Sequence, residues 1–283
     1  MKTNAIKLLL AAMIAANAGT AFADNYGGCD PAISTLMENT SIIGRYETGA
    51  GMMPGDIAPL GKLPFRMKDL KRPVFKNTTM TISHADIDSR DMITDAVNSK
   101  IEQLSRKGGG RLVIPEGHWL SGRLILKSGV DLHLDRGCTL EFSADINDYQ
   151  PALFTRHEGI EIMGAGAFIY AHKAKNIALT GQGTVMGPPM DAGMRRLKNG
   201  NSVVERDIDH RSPVASRICD GKEGRTFYRP KSFAPIDCRN VLVEGVTFER
   251  SVLWNINPIY CENVIIRGVT VNSEKVPSGD GID

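Results

Sequence analysis

The sequence predicts an all-β solenoid with one helix at its N-terminal end, and three observations predict it. A segment recurs at a fixed offset within β-rich sequence, the mark of stacked coils. Short apolar runs follow one another with no room between them for crossover helices, which excludes a doubly wound α/β sheet. A single amphipathic pattern precedes these runs and a glycine triplet stops it.

The helix comes first. Met92, Ile93, Ala96, Val97, Ile101 and Leu104 recur at helical spacing with charged residues between them, and Gly108-Gly109-Gly110 ends the pattern. The spacing predicts one amphipathic helix from about Ser89 to Lys107. The strands come next, in Leu112-Val113-Ile114, Leu124-Ile125-Leu126, Val130 to Leu134 and Thr139 to Phe142, with Gly, Pro, Ser and Asp separating them. A sandwich, a barrel or a solenoid would all read this way.

The repeat decides among them. Cys238-Arg239-Asn240-Val241-Leu242-Val243-Glu244-Gly245-Val246-Thr247-Phe248 is followed, at an offset of 23 residues, by Cys261-Glu262-Asn263-Val264-Ile265-Ile266-Arg267-Gly268-Val269-Thr270-Val271. A looser copy runs from Asn176 to Val185. Coils that stack at strand spacing, about 4.8 Å, set like residues over like. Val, Ile and Leu then fill the interior. Asn240 and Asn263 stack at a turn, where Asn tolerates unusual dihedrals and bonds its neighbour. Glu244 over Arg267 is expected as an outer-face ion pair worth about 0–1 kcal/mol. The plainer alternative is two similar hairpins in an ordinary β domain. The two copies keep their apolar pattern while the residues between them differ, which favours stacking.

The chain has 283 residues, 42% of them hydrophobic and 23% charged, enough to bury a large core. Residues 1–23 read as a secretory signal peptide: Lys2 and Lys7 are basic, Leu8 to Ala16 are apolar, and Ala21-Phe22-Ala23 fits the cleavage pattern. Residues 24–80 form an irregular lead-in and residues 81–283 the solenoid. The net charge of +2 falls to neutral without Lys2 and Lys7. A neutral chain argues against broad nucleic-acid binding. No later apolar run reaches the length of about 20 residues that a spanning helix needs. Export makes disulfides chemically feasible, yet the odd set Cys29, Cys138, Cys219, Cys238 and Cys261 leaves one thiol unpaired. In-register neighbours are poorly angled for a bridge, so Cys238 and Cys261 are expected as packed thiols. No Cys/His spacing suggests a metal, and His118, His133, His157, His172 and His210 are expected as surface or hydrogen-bonded residues.

Several stretches then resemble glycoside hydrolase family 28, the polygalacturonases and related pectin hydrolases. They are Gly108 to Gly117, Ser121-Gly122 with Leu126-Lys127-Ser128, Val130 to Leu140 ending in Asp148-Tyr149, Arg229-Pro230, Ser251 to Trp254, Pro258 to Val264, and Gly279 to Asp283, in family order. The resemblance covers about residues 80–283. It implies a right-handed parallel β-helix and inverting hydrolysis of α-1,4-galacturonan bonds in an open groove, with no cofactor. It also implies a pectic polysaccharide partner, polygalacturonate or rhamnogalacturonan, and an exported, periplasmic or extracellular protein. The family's Asn-Thr-Asp-Gly-x-Asp falls on Ser278 to Asp283, so Asp280 takes the place of the Asp that helps hold the attacking water. Ser278 and Gly279 depart from that pattern, which leaves rhamnogalacturonan as an alternative substrate. Asn257 stands where many bacterial relatives carry His. Trp254 is a candidate sugar platform, although a lone Trp between strands is more often a core residue; Arg229 is a candidate uronate contact, the alternative being that Arg-Pro pins a loop.

The family's later Gly-Asp-Asp, Gly-His-Gly and Arg-x-Lys do not follow this motif, and neither Gly-Asp-Asp nor Gly-His-Gly occurs upstream of it. An inverting glycosidase needs one protonated and one ionised carboxyl, about 6.5–9.5 Å apart. Asp280 alone cannot serve both roles. The expectation is therefore a fragment of a longer enzyme, its β-helix truncated at the C-terminal end, that is inactive alone. Two rivals remain. One is a calcium-dependent lyase-type β-helix, for which Asp280 to Asp283 is too short to supply six to eight ligands. The other is a non-catalytic carbohydrate-binding β-helix.

Overall fold

The computed structural model describes residues 71–283. The expected leader at 1–23, most of the lead-in at 24–80, and Cys29 lie outside the described residues. The strands run in chain order as β1 (Thr79–Thr81), β2 (Gly110–Ile114), β3 (Gly117–Ser121), β4 (Leu124–Leu126), β5 (Val130–Leu134), β6 (Cys138–Phe142), β7 (Leu153–His157), β8 (Ile160–Gly164), β9 (Ala167–His172), β10 (Lys175–Gly181), β11 (Thr184–Met186), β12 (Ile218–Cys219), β13 (Lys231–Ile236), β14 (Arg239–Glu244), β15 (Thr247–Glu249), β16 (Glu262–Arg267) and β17 (Thr270–Asn272). Helix α1 (Thr94–Arg106) lies between β1 and β2.

The chain winds as a parallel β-helix with three faces. The first face is β1-β2-β5-β10-β14-β16, the second β3-β6-β11-β15-β17 and the third β4-β9-β13, continued past β13 by bridges at Ile256, Ile259 and Ile282. Each coil passes the three faces in turn, as in β2-β3-β4. All strand pairings are parallel except β7 with β8.

In-register stacking builds the core. Leu112, Leu132, Leu179, Val243 and Ile266 form one inward column. Trp119, Leu140, Val185, Phe248 and Val271 form a second. Leu124, Ile169, Phe233 and Ile256 form the third, with the exposed Ile282 bridged to its last member. Each fully buried side chain of this kind contributes about 1.5–3 kcal/mol. Gly181, with φ of 108°, marks how closely the coils approach: a Cβ there would lie 1.9 Å from the Leu134 carbonyl.

Helix α1 packs Val97, Ile101 and Leu104 against this core beside β2 and β4. It starts five residues later than the sequence pattern suggests. Residues before it are already committed: Asp88 accepts the Arg90 and Met92 N–H groups, Met92 bridges Leu120, and Ile93 N–H bonds the Leu120 carbonyl. No helix among the described residues is long and apolar enough to cross a membrane.

The expected asparagine stack is present and one rung longer than the two-copy repeat. Asn263 Nδ2 donates to Asn240 Oδ1 at 3.0 Å, and Asn240 Nδ2 donates to Asn176 Oδ1 at 2.8 Å. All three residues sit in left-handed backbone, at φ of 52–58°. Glu244 differs from expectation. It is buried rather than surface-exposed, held by both terminal nitrogens of Arg72 (Nη1 to Oε1, 2.7 Å) with Arg267 Nε at 3.3 Å. The lead-in arginine covers that face, which the repeat could not foretell. Cys138, Cys219, Cys238 and Cys261 are free thiols.

Asn240→Ala removes both ladder bonds and places a Cβ-bearing apolar residue in left-handed backbone. It is expected to lower stability by about 2 kcal/mol, with Asn240→Gly losing less because glycine accepts that backbone. Urea denaturation midpoints check this; two variants that unfold with the wild type contradict the ladder's role.

Candidate active site

The outer side of the third face carries the candidate groups. Coils two and three are expanded just before this face, by the β7–β8 hairpin and by residues 187–230 respectively. β12 pairs with β8, and Ile162, Val204, Cys219 and Tyr228 pack the two expansions together. These expansions wall the face.

The rung that carries Asp280 stacks on the rung that carries Trp254. Ile282 bridges Ile256, so Asp280 stands in register with Trp254 and Asp283 with Asn257. Asn255 N–H donates to the Asp280 carbonyl at 2.9 Å, Ile256 N–H to the Gly281 carbonyl at 3.1 Å, and Asp283 N–H to the Ile256 carbonyl at 3.0 Å. The fully buried Asn255 side chain ties the same loop: its Nδ2 reaches Ser273 Oγ at 2.7 Å and the Asp280 carbonyl at 3.0 Å. Sequence reasoning missed Asn255, because nothing in a single chain marks a buried amide next to Trp254. With this support the Asp280 side chain is exposed to solvent. Gly279 has a local cause. A Cβ there would lie 2.6 Å from the Ser273 Cβ, so this turn has no room for the threonine that the resembling pattern carries.

Trp254, Asn257 and Asp283 line one cleft of about 230 Å³ together with Arg156 and Glu158 of the hairpin and Tyr260. Trp254 is half-buried, so it is neither a sealed core residue nor a free surface one. Asn257 is only 7% exposed, and its Nδ2 donates to the Asp283 main-chain oxygen at 2.6 Å. Arg229 is not part of the cleft lining. Its Nη1 donates to the Pro277 carbonyl at 3.4 Å, on the loop that leads to Asp280. Among the described residues Arg229 has no carboxylate partner, its Nε is buried without an acceptor, and burial lowers its pKa. Arg195 lies nearby and donates to the Pro188 and Arg250 carbonyls. Burial, then Arg250 and Arg229, push its pKa down to about 10.

Behind Trp254 lies the least expected group. Lys231 is fully buried in the third face, with Nζ 2.8 Å from the Arg156 carbonyl and 5.3 Å from the Trp254 ring centre. Burial drives its pKa down to about 7, against the opposite pull of Asp283 and Glu158. His157 stacks between Tyr228 at 4.3 Å and Trp254 at 5.5 Å. It is neither a surface nor a hydrogen-bonded histidine, in contrast to the sequence expectation. It is 2% exposed, its Nδ1 has no partner, and burial with Lys231 and Arg229 nearby lowers its pKa to about 3. Burial and then Asp280 raise the Asp283 pKa, while Lys231 opposes them.

The structure is thus a parallel β-helix with an exposed carboxylate beside an aromatic-lined cleft. No family model matches the chain, and no curated protein matches it. Solved structures do. A hyperthermoactive exopolygalacturonase from Thermotoga maritima is 33% identical, with a TM-score of 0.65 over 76% of this chain and 51% of that one. A family 28 exopolygalacturonase from Yersinia enterocolitica (21% identical, TM-score 0.52, 73% of this chain and 40% of that one) shares the fold. So does a polygalacturonase from Erwinia carotovora ssp. carotovora (20% identical, TM-score 0.51, 78% of this chain and 54% of that one). The chain is a glycoside hydrolase family 28-like protein, and it spans about half the length of these structures.

Lys231 generates a stability prediction. Its folded pKa of about 7 lies below the unfolded value. The unfolded chain therefore holds the proton more tightly, and folding is penalised below the unfolded pKa of about 10.4. The penalty is full below the folded pKa and fades as pH rises above it. Lys231→Met loses a cation–π contact of about 0.5–2 kcal/mol but removes a buried charge that costs more. The variant is expected to be more stable than wild type, by more at about pH 6 than at about pH 9.5. Denaturant midpoints at both pH values check the sign; a variant less stable at the lower pH contradicts it.

Proposed function

We propose that this chain is part of an exported pectin-acting glycoside hydrolase that cleaves α-1,4-galacturonan bonds with inversion. Residues 1–23 direct export, residues 24–80 form the lead-in and residues 81–283 form the part of the catalytic domain present here. The observation that carries this reading is the stacked pair of rungs that presents Asp280 to solvent in register with Trp254, one coil on. The similarity to the Thermotoga exopolygalacturonase supports it.

In this reading Asp280 is the ionised carboxylate that draws a proton from the attacking water. Trp254 offers its exposed part to a sugar ring. Arg229, a guanidinium with no carboxylate partner among the described residues, attracts the anionic polymer. Asn257 acts mainly by holding the Asp283 backbone in the cleft, at 2.6 Å. The leaving oxygen needs a separate protonated acid, because one carboxyl cannot be both protonated and ionised in the same step. The family's acid motif is absent from the sequence, so the chain binds pectic oligosaccharide but does not turn it over. Rhamnogalacturonan is the second substrate reading, favoured by Ser278 and by the side-chain-free turn at Gly279.

The test pairs binding with turnover on the 283-residue chain. Calorimetry is expected to show oligogalacturonate binding, weakened about tenfold by Trp254→Ala. Polygalacturonate incubated with the chain is expected to release no reducing ends. Tighter binding of rhamnogalacturonan oligosaccharides selects the second substrate. Release of reducing ends that is lost in Asp283→Asn overturns the missing acid and assigns it to Asp283, whose pKa is already raised.

A further inference from the structure

The far wall of the cleft carries an aromatic ring where the fold gains little from it. At the turn that leaves the third face, successive coils place Lys173, Asp237 and Tyr260 in register, since His172 pairs with Ile236 and Ile236 with Ile259. All three have left-handed backbone, with φ of 55°, 51° and 53°. Two are short or flexible polar residues. The third is a bulky aromatic, which that backbone disfavours. The Tyr260 side chain is 54% exposed, so its burial does not explain its presence.

The ring is nevertheless held in place. Its hydroxyl donates to Glu161 Oε1 on β8 at 3.2 Å. The Arg156 guanidinium, from β7, lies 5.5 Å from the ring centre. Arg156 Nε donates to the Gly159 carbonyl at 3.0 Å, which fixes the plane of the guanidinium. Among the described residues no carboxylate pairs with its Nη1 and Nη2. Both residues line the cleft that Trp254, Asn257 and Asp283 also line.

We propose that Arg156 and Tyr260 form a subsite for an acidic pyranose, a hexuronate unit next to the one at Trp254. The proposal rests on the pectin reading above and deepens it. The apolar side of the sugar packs against the exposed part of the Tyr260 ring. Its carboxylate takes the two free guanidinium edges of Arg156 in a bidentate pair. Glu158 and Asp283 face the same cleft, so they repel the carboxylate from their sides and accept sugar hydroxyls instead. The subsite therefore fixes the orientation of the unit as well as its charge. The hairpin that supplies Arg156 is the antiparallel insertion into the solenoid, so specificity comes from the element that departs from the repeat.

The probes are trigalacturonate and its methyl ester, which keeps every ring and removes only the charge. Calorimetry on the full chain is expected to show the acid bound about tenfold more tightly than the ester. Arg156→Gln is expected to bring the two affinities within about twofold while leaving the ester's unchanged, and Arg156→Lys to keep a preference for the acid. Tyr260→Ala is expected to weaken both ligands alike, by about tenfold. Thermal melts alongside show whether each variant is folded, and Arg156→Met, expected to lose the preference in the same way, carries the test if the glutamine variant is not. Wild-type preference for the acid that survives in Arg156→Gln, or a Tyr260→Ala variant that binds both ligands as tightly as wild type, overturns the subsite and leaves the pectin reading standing. A wild-type chain that binds neither probe overturns both.

Discussion

Parallel rungs stacked in register are the constraint on which the rest of this protein depends. Each coil repeats the dihedral pattern of the one before, so each inward position meets a like residue above and below. That stacking produces the column from Leu112 to Ile266 and the asparagine ladder from Asn176 to Asn263. It also operates outward. Because Ile282 sits over Ile256, Asp280 arrives beside Trp254 without any long-range loop to place it. Position on the outer face is a by-product of core packing.

The same regularity explains what the sequence made legible. The repeat at Asn240 and Asn263, the apolar runs and the helix pattern around Ile101 are local signals, and local signals encode a solenoid almost completely. The departures are what stayed hidden. The β7–β8 hairpin has a mark in hindsight: Glu158-Gly159 separates two short alternating runs, and both residues take positive φ, at 46° and 87°. Lys231 has none. A lysine between Pro230 and an apolar run reads as a surface residue, and only the hairpin laid across it makes it buried. His157 misleads for the same reason.

The buried polar groups concentrate where the candidate site lies. Lys231 and His157 sit behind Trp254, one as a buried amine and the other as a neutral ring without a partner on Nδ1. Burial of such groups opposes folding. On the first face the buried Glu244 carboxylate is instead paired, with Arg72 and Arg267. Beside the exposed carboxylate, then, the buried amine and the neutral ring have no charged group among the described residues paired with them.

Hydrogen–deuterium exchange with and without oligogalacturonate tests the central claim most directly, because it reports which face the ligand covers. If the outer side of the third face is the working surface, protection concentrates in β7–β8, in residues 254–260 and in residues 278–283. Protection centred instead on the outer side of the first face, around β5, β10 and β14, would contradict the account.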